Sequence, residues 1–109
     1  MAYVPERGDV VWLHFDPQAG HEQAGHRLAL VLSPQKYNKI TCLMLCCPLT
    51  TAVKGYPFEV RTNVGGKPGV ALADQVKSLD WRARKAKKEG AVDQAIMDEV
   101  LAKIETLLS

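Results

Sequence analysis

Two stretches of this chain are apolar on both faces: His26-Arg-Leu-Ala-Leu-Val-Leu-Ser33, which stops at Pro34, and Ile40-Thr-Cys-Leu-Met-Leu-Cys-Cys47, which stops at Pro48. A strand with one solvated face alternates polar and apolar residues, and neither stretch does so. The two stretches therefore predict central β-strands that are buried on both faces.

Shorter segments with strand character surround these two and are separated by Gly, Pro and Asn. They are Val10–Phe15, Tyr56–Arg61, Gly69–Lys77 and a short sixth strand through the basic segment to Ala91–Val92. Pro57 indicates an edge or strand-start position, because proline lacks the N–H that a strand ladder needs.

The end of the chain has the pattern of an amphipathic helix. Asp93 is a candidate N-cap, and apolar residues follow it at the 3–4 spacing of one helical face: Ile96, Val100, Leu101, Ile104, Leu107 and Leu108. Several short strands and one helix predict a mainly β fold, in which a small bent sheet or barrel carries a C-terminal helix.

Length and composition are those of one globular domain spanning residues 1–109, with 47% hydrophobic residues and a net charge of +2. No run approaches the roughly 20 apolar residues of a membrane helix, and the first residues lack the apolar stretch of a signal peptide. We therefore expect a cytoplasmic protein that does not contact a membrane.

The small net charge conceals an uneven distribution. Residues 1–88 hold 13 basic and 7 acidic side chains, a charge of +6, whereas residues 89–109 hold one basic and 5 acidic side chains, a charge of −4. Five positive charges lie within Arg82-Ala-Arg-Lys-Ala-Lys-Lys88. A basic body is compatible with an anionic partner, and equally with a solvated charged turn.

The three cysteines, Cys42, Cys46 and Cys47, do not suggest a disulfide framework in a chain of this type. On a strand, Cys46 and Cys47 point to opposite faces and cannot bind one ion together. We expect buried thiols that pack as small apolar groups.

The most polar loop, residues 18–27, gathers His21, Glu22, Gln23, His26 and Arg27 between two apolar strands. Its histidines are five apart rather than four, and its glycines oppose a helix, so a zinc-protease motif is not indicated and no metal is expected. A guanidinium suits phosphate oxygens, and the carboxylate or an imidazole can exchange a proton. The plain alternatives are a solvated carboxylate and an arginine in an ion pair.

Several motifs of this chain, taken in order, resemble the MazF/PemK/Kid-type toxins, and the MazF branch most. They are Arg7-Gly-Asp-Val10, Asp16-Pro17, Glu22-Gln-Ala-Gly-His-Arg27, Val31-Leu-Ser-Pro34, Lys54-Gly-Tyr-Pro-Phe58 and Ala73-Asp-Gln-Val-Lys77. Any one of them is weak evidence, but the ordered set covers nearly the whole chain.

The resemblance implies a small SH3-like barrel of the CcdB/PemK type, assembled as a homodimer. It also implies a metal-independent endoribonuclease that needs no cofactor and cuts single-stranded messenger RNA at short sequences. The ribose 2′-hydroxyl would attack the adjacent phosphorus, leaving a 2′,3′-cyclic phosphate and a 5′-hydroxyl. The implied partner is an antitoxin whose acidic, flexible C-terminal segment competes with RNA.

Residue by residue, the resemblance implies catalytic roles for Arg27, which would stabilise the phosphorane, Thr50, which would hold a phosphate oxygen, and Glu22, the candidate base. The implied RNA contacts are Gln23, His26, Asn38, Lys54, Gln75 and Lys77. Asn38 and Gln75 would read base edges, and the two lysines would hold the backbone.

Two alternatives remain open at this stage. The same barrel serves CcdB-type toxins that bind gyrase without a catalytic site, and a degenerate relative would bind RNA without cutting it. The gyrase poisons depend on a C-terminal end that bears tryptophan, whereas this chain ends Leu107-Leu-Ser109. One departure from the toxin pattern is Leu28, where most relatives have proline after the arginine; we expect activity to survive it.

Overall fold

The computed structural model describes residues 2–14 and 26–109. Over this part of the chain, seven strands and two helices follow one another: β1 (Asp9–His14), β2 (His26–Val31), α1 (Gln35–Thr41), β3 (Leu43–Thr50), β4 (Glu59–Val64), β5 (Lys67–Leu72), β6 (Lys77–Asp80), β7 (Lys87–Ala91) and α2 (Gln94–Leu108). Within the same residues, no helix is both long and apolar enough to cross a bilayer.

The strands form an antiparallel sheet in the order β4-β5-β3-β2-β1-β7, and β6 pairs with the first half of β3. The two apolar stretches supply β2 and β3, which lie in the middle, as predicted. The end strands β4 and β7 approach each other so closely that a Cβ on Gly90 would lie 2.8 Å from Cγ1 of Val64. The sheet therefore curls into a partly closed barrel, and the predicted fold class is confirmed.

The core lies on both faces of this sheet, which explains why β2 and β3 lack alternation. Along β1, Val10 packs in a cluster with Val100 of α2, whereas its neighbour Val11 packs in a second cluster with Trp81. Cys47 belongs to the first cluster and Cys46 to the second. Successive strand residues alternate between faces, so each central strand contributes to both clusters.

The two buried cysteines behave as the sequence predicts. Burial raises the pKa of Cys46 to about 11 and that of Cys47 to about 12, so both thiols stay protonated at neutral pH. They pack as apolar groups, and Cys42, which is partly exposed, is also free of a disulfide.

Helix α2 begins as predicted, because the Asp93 side chain accepts a hydrogen bond of 3.0 Å from the Ile96 N–H. Its apolar face packs against the barrel as far as Ile104. Leu107 and Leu108, which were expected on this buried face, are 50% and 81% exposed. The contact surface of the barrel ends one turn before the helix does.

The strand predicted over Ile40–Cys47 begins later than expected, because Ile40 and Thr41 belong to helix α1. Ile40 lies in this helix and is 75% exposed. Cys42 ends the helix in the left-handed region with φ 61°, after which β3 runs from Leu43 through Pro48 to Thr50. Pro48 lies opposite Ala29 of β2, and on the other side of β3 it falls between the residues that pair with β6 and those that pair with β5, so a missing N–H is tolerated there.

The predicted strand from Gly69 to Lys77 is wrong as one element, because a turn divides it into β5 and β6. In this turn the Gln75 N–H donates to the Leu72 carbonyl oxygen at 3.0 Å. Smaller shifts affect other elements: β2 ends at Val31, and β4 begins at Glu59 rather than Tyr56. The sixth predicted strand is found as β7.

Candidate active site

A pocket of about 400 Å³ opens at the mouth of the barrel, where β1 and β3 end and β2 begins. Its walls are largely apolar and come from Leu28, Leu49, Val64 and Pro68. Its charged and hydroxyl groups come from Arg27, Thr50, Thr51, Thr62, Lys67 and Glu89. A concave apolar site with a few polar groups is the usual form of a ligand site.

Arg27 belongs to β2 and Thr50 to the neighbouring strand β3. The recorded register sets Ala29 opposite Pro48 and Leu30 opposite Cys47. The recorded pairs of β2 with β3 end at Ala29 and Pro48, and the last residues of β3, Leu49 and Thr50, pair with Ala71 and Val70 of β5. Arg27 and Thr50 both line the pocket that opens beyond these pairs. The two residues singled out as catalytic therefore face the same cavity.

The hydroxyl of Thr50 is oriented by the chain that follows it. Its Oγ1 accepts a hydrogen bond of 3.1 Å from the Ala52 N–H. A hydroxyl has two acceptor lone pairs and one proton, so this contact occupies a lone pair and leaves the proton available to donate. Such a donor suits a phosphate oxygen.

Gly69 on β5 sets how closely that strand approaches Thr50. A Cβ at position 69 would lie 2.8 Å from the Thr50 carbonyl oxygen, which is closer than real contacts allow. The clash is with backbone, so the strands must separate to admit any side chain.

The resemblance implies RNA cleavage with Thr50 as a catalytic residue, so we expect Gly69→Ala to displace Thr50 and to reduce that cleavage about ten-fold or more, because a small misplacement of such a group is costly. The melting temperature should also fall. A matched control is Gly65→Asn, at a turn with open space around it and a φ that asparagine tolerates. The measurement is the rate of RNA cleavage by the two variants and by the native protein. Unchanged cleavage by Gly69→Ala would show that Thr50 needs no such close packing.

Asn38, predicted to read a base edge, is buried and 0% exposed. Its Nδ2 donates to the carbonyl oxygens of Pro5 and Ser33, at 2.8 and 3.1 Å, and its Oδ1 accepts from the Ser33 hydroxyl at 2.6 Å. Its own carbonyl oxygen accepts from Trp81 Nε1. Every polar atom of the side chain is used inside the protein, so the predicted RNA contact of Asn38 is wrong.

The other predicted RNA contacts are dispersed. Lys54, Gln75 and Lys77 are exposed, and none of them lines the pocket. His26 begins β2 opposite His14. The side chain of His26, and all of Glu22 and Gln23, lie outside the described residues.

Several residues that line the pocket are not indicated by the sequence, among them Trp12, Lys67 and Glu89. In the sequence, Glu89 is one of the acidic residues of the C-terminal segment and Trp12 is one residue of an ordinary strand. A single exposed charge in a strand carries no signal of its own. These residues enter the site only because β1, β5 and β7 meet at the barrel mouth.

Leu28, the departure from the family pattern, lies in the β1–β2 ladder opposite Trp12 and packs against the core. A leucine at this position therefore leaves the strand intact. In the basic segment, the Lys88 ammonium lies 3.5 Å from a carboxylate oxygen of Asp9. That lysine has a structural contact, and the other charges of the segment do not line the pocket.

No group of three or more potential metal ligands occurs among the residues that the structure describes. Of the two histidines compared with a zinc-protease motif, His21 and the side chain of His26 lie outside these residues.

The chain matches the family model of the PemK-like, MazF-like toxins of type II toxin–antitoxin systems over residues 6–108. The chain belongs to this family. It is 55% identical over 106 residues to the endoribonuclease toxin MazF of Escherichia coli K12, covering 97% of this chain and 96% of the relative. It is 35% identical to the endoribonuclease PemK of Escherichia coli, and the match covers 95% of this chain and 82% of PemK.

Solved structures of MazF toxins share the fold. A MazE–MazF crystal structure from Deinococcus radiodurans superposes with a TM-score of 0.91 at 52% identity, covering 98% of this chain and 97% of the other. A crystal structure of MazF alone from the same organism superposes with a TM-score of 0.86 at 52% identity. The gyrase-binding alternative is not favoured, because the relatives are endoribonucleases.

Proposed function

We propose that this chain is a sequence-specific endoribonuclease toxin that cleaves single-stranded messenger RNA. The observation that carries the proposal is that Arg27 and Thr50 line the same pocket, in a chain of the MazF-like family. The ribose 2′-oxygen forms a bond to the adjacent phosphorus, and the bond from phosphorus to the 5′-oxygen breaks. The products are a 2′,3′-cyclic phosphate and a 5′-hydroxyl.

Arg27 stabilises the negative charge that develops on the phosphorane. A guanidinium stays protonated and offers a planar set of N–H donors, which matches phosphate oxygens. Thr50 donates its hydroxyl proton to one of these oxygens, since Ala52 already occupies a lone pair of its Oγ1. Donors fixed before the reaction favour the transition state without reorganisation.

Glu22 is proposed as the base that accepts the proton of the 2′-hydroxyl, with Gln23 and His26 as RNA contacts on the same loop. Lys54 and Lys77 are exposed cations for the RNA backbone, and Gln75 is an exposed amide for a base edge. The reaction as written requires no metal or organic cofactor.

The proposed partners follow from the family and from charge. The MazF relative from Deinococcus radiodurans has been solved as a MazE–MazF complex, and a basic body of +6 suits an acidic antitoxin segment as well as RNA. We propose a cytoplasmic homodimer in which the antitoxin segment and RNA compete.

The direct test is incubation of the purified protein with a long single-stranded RNA in the presence of EDTA, followed by mapping of both new ends. We expect discrete fragments with cyclic phosphate and 5′-hydroxyl ends at one short sequence. Bound but uncut RNA would indicate the degenerate relative. DNA of the same sequence should stay intact, because it lacks the attacking hydroxyl.

Substitutions at Thr50 test the hydroxyl. We expect Thr50→Ser to retain most of the cleavage rate and Thr50→Val to lose about a hundred-fold, since valine keeps the shape but has no donor. Thr106→Val, on the exposed face of α2, is the matched control. Equal rates for the serine and valine variants would remove Thr50 from the mechanism.

A further inference from the structure

Glu89 occupies an irregular position in the barrel. In the pairing of β1 with β7, Val10 lies opposite Gly90 and Val11 opposite Lys88, so Glu89 is an extra residue with no partner of its own. This is a β-bulge, a feature that re-aims a side chain and occurs often beside active sites. Here it lies at the pocket.

The Glu89 carboxylate is fixed by Trp12. The indole Nε1–H donates to Oε1 of Glu89 at 2.8 Å, across 77 residues of sequence. An ionised carboxylate has a second oxygen that also accepts hydrogen bonds. Among the described residues no contact to that oxygen is recorded, and Glu89 lines the same pocket as Arg27 and Thr50. Trp12 therefore holds the Glu89 carboxylate in place, with its second oxygen able to accept a hydrogen bond from a ligand.

The composition of the pocket favours a nucleobase over a phosphate beside this acceptor. A carboxylate repels phosphate but accepts hydrogen bonds from the amino groups of bases. The apolar walls, from Leu28, Leu49 and Pro68, suit the flat faces of a base. Arg27 and Thr50 line the same pocket, so a phosphate bound by them would lie beside a base held against these walls.

We propose that the barrel mouth is a base-specific subsite in which Glu89, held by Trp12, selects an amino-bearing base next to the phosphate at Arg27. This proposal rests on the endoribonuclease function above. Cytosine, adenine and guanine each present an amino group to the second carboxylate oxygen. Uracil presents only one N–H between two carbonyl oxygens, which repel the carboxylate, so it is rejected.

The decisive variant is Glu89→Gln. Because the indole N–H can only donate, it retains the amide oxygen and turns the amide NH₂ toward the pocket. The group that faces the base then changes from acceptor to donor. At one position of the recognised sequence, we expect the preference to shift from the amino-bearing base toward uracil by about ten-fold, the scale of one base contact.

The measurement is kcat/KM on a set of RNA oligonucleotides that differ in a single base, taken position by position around the mapped cut. Glu99→Gln, an exposed carboxylate on α2 outside the pocket, is the matched control and should retain the original preference. Trp12→Phe releases the carboxylate, so discrimination should weaken without inverting. An unchanged base preference in Glu89→Gln, even with a lower melting temperature, would reduce Glu89 to a structural partner of Trp12 and overturn the proposal.

Binding separates this proposal from the cleavage function. Fluorescence anisotropy with 2′-O-methyl oligonucleotides, which lack the free attacking hydroxyl, should show the same base preference and the same change in Glu89→Gln. If the native protein cuts no RNA but binds with this preference, the endoribonuclease function fails and the subsite stands. If it cuts RNA and neither assay distinguishes Glu89→Gln from the native protein, only the subsite fails.

Discussion

Replacing Arg27 by alanine is expected to reduce the rate of RNA cleavage by about a thousand-fold or more, the effect of removing a main donor to transition-state charge. Arg27 is the second residue of β2 and lines the same pocket as Thr50. Its guanidinium is the cation that the proposed mechanism places on the phosphorane. Single-turnover cleavage of a radiolabelled RNA measures the loss directly.

Two further variants refine this result. Arg27→Lys keeps the charge but not the planar donors, so we expect a rate between those of the native protein and Arg27→Ala. Arg61→Ala, at an exposed position of β4 outside the pocket, is the matched control and should cleave normally. Full activity of Arg27→Ala, with a native circular dichroism spectrum, would refute the catalytic assignment.

Replacing Asn38 by alanine is expected to lower the free energy of unfolding by about 3 kcal/mol, because three buried hydrogen bonds are lost and their partners stay buried. The partners are the Ser33 hydroxyl and the carbonyl oxygens of Pro5 and Ser33, which tie the N-terminal segment to α1 and β3. For a domain of this size that corresponds to a melting temperature lower by about 15 °C.

The same variant separates a structural role from an RNA-binding one. Below its melting transition, Asn38→Ala should cleave RNA with the native base preference, because the side chain is sealed from solvent. Asn63→Ala, at an exposed position of β4, removes a similar side chain and should leave stability within about 0.5 kcal/mol of native. A change in base preference with unchanged stability would restore Asn38 as a reader of RNA.

Local patterns predicted much of the fold correctly. Apolar runs identified β2 and β3 as central strands, and the Asp93 cap with its 3–4 spacing identified α2. Helix α1 was not predicted because it has only 7 residues and its last two, Ile40 and Thr41, begin the apolar stretch assigned to a strand. Only the left-handed turn at Cys42 shows where the helix ends. The division of β5 from β6 depends on which half of β3 each strand pairs with, and sequence patterns do not record pairing partners.

The candidate site was predicted in part, through the family resemblance rather than through residue patterns. The resemblance implied Arg27 and Thr50, which line one pocket in the structure. It also carried Asn38, where an amide suited to RNA instead binds the protein's own backbone. Whether an asparagine amide binds RNA or the protein's own backbone depends on its exposure to solvent, and exposure depends on tertiary packing.

By itself, the sequence determined the mainly β class, the two-faced central strands, the capped C-terminal helix and the family. These depend on the order of residue types along the chain, which local periodicity and motifs record directly. Only the tertiary structure decided that Asn38 is internal, that Gly69 must be small, and that Trp12 fixes Glu89 at the pocket. Each of these depends on contacts between residues distant in sequence, and such contacts exist only once the strands have paired and the barrel has curled.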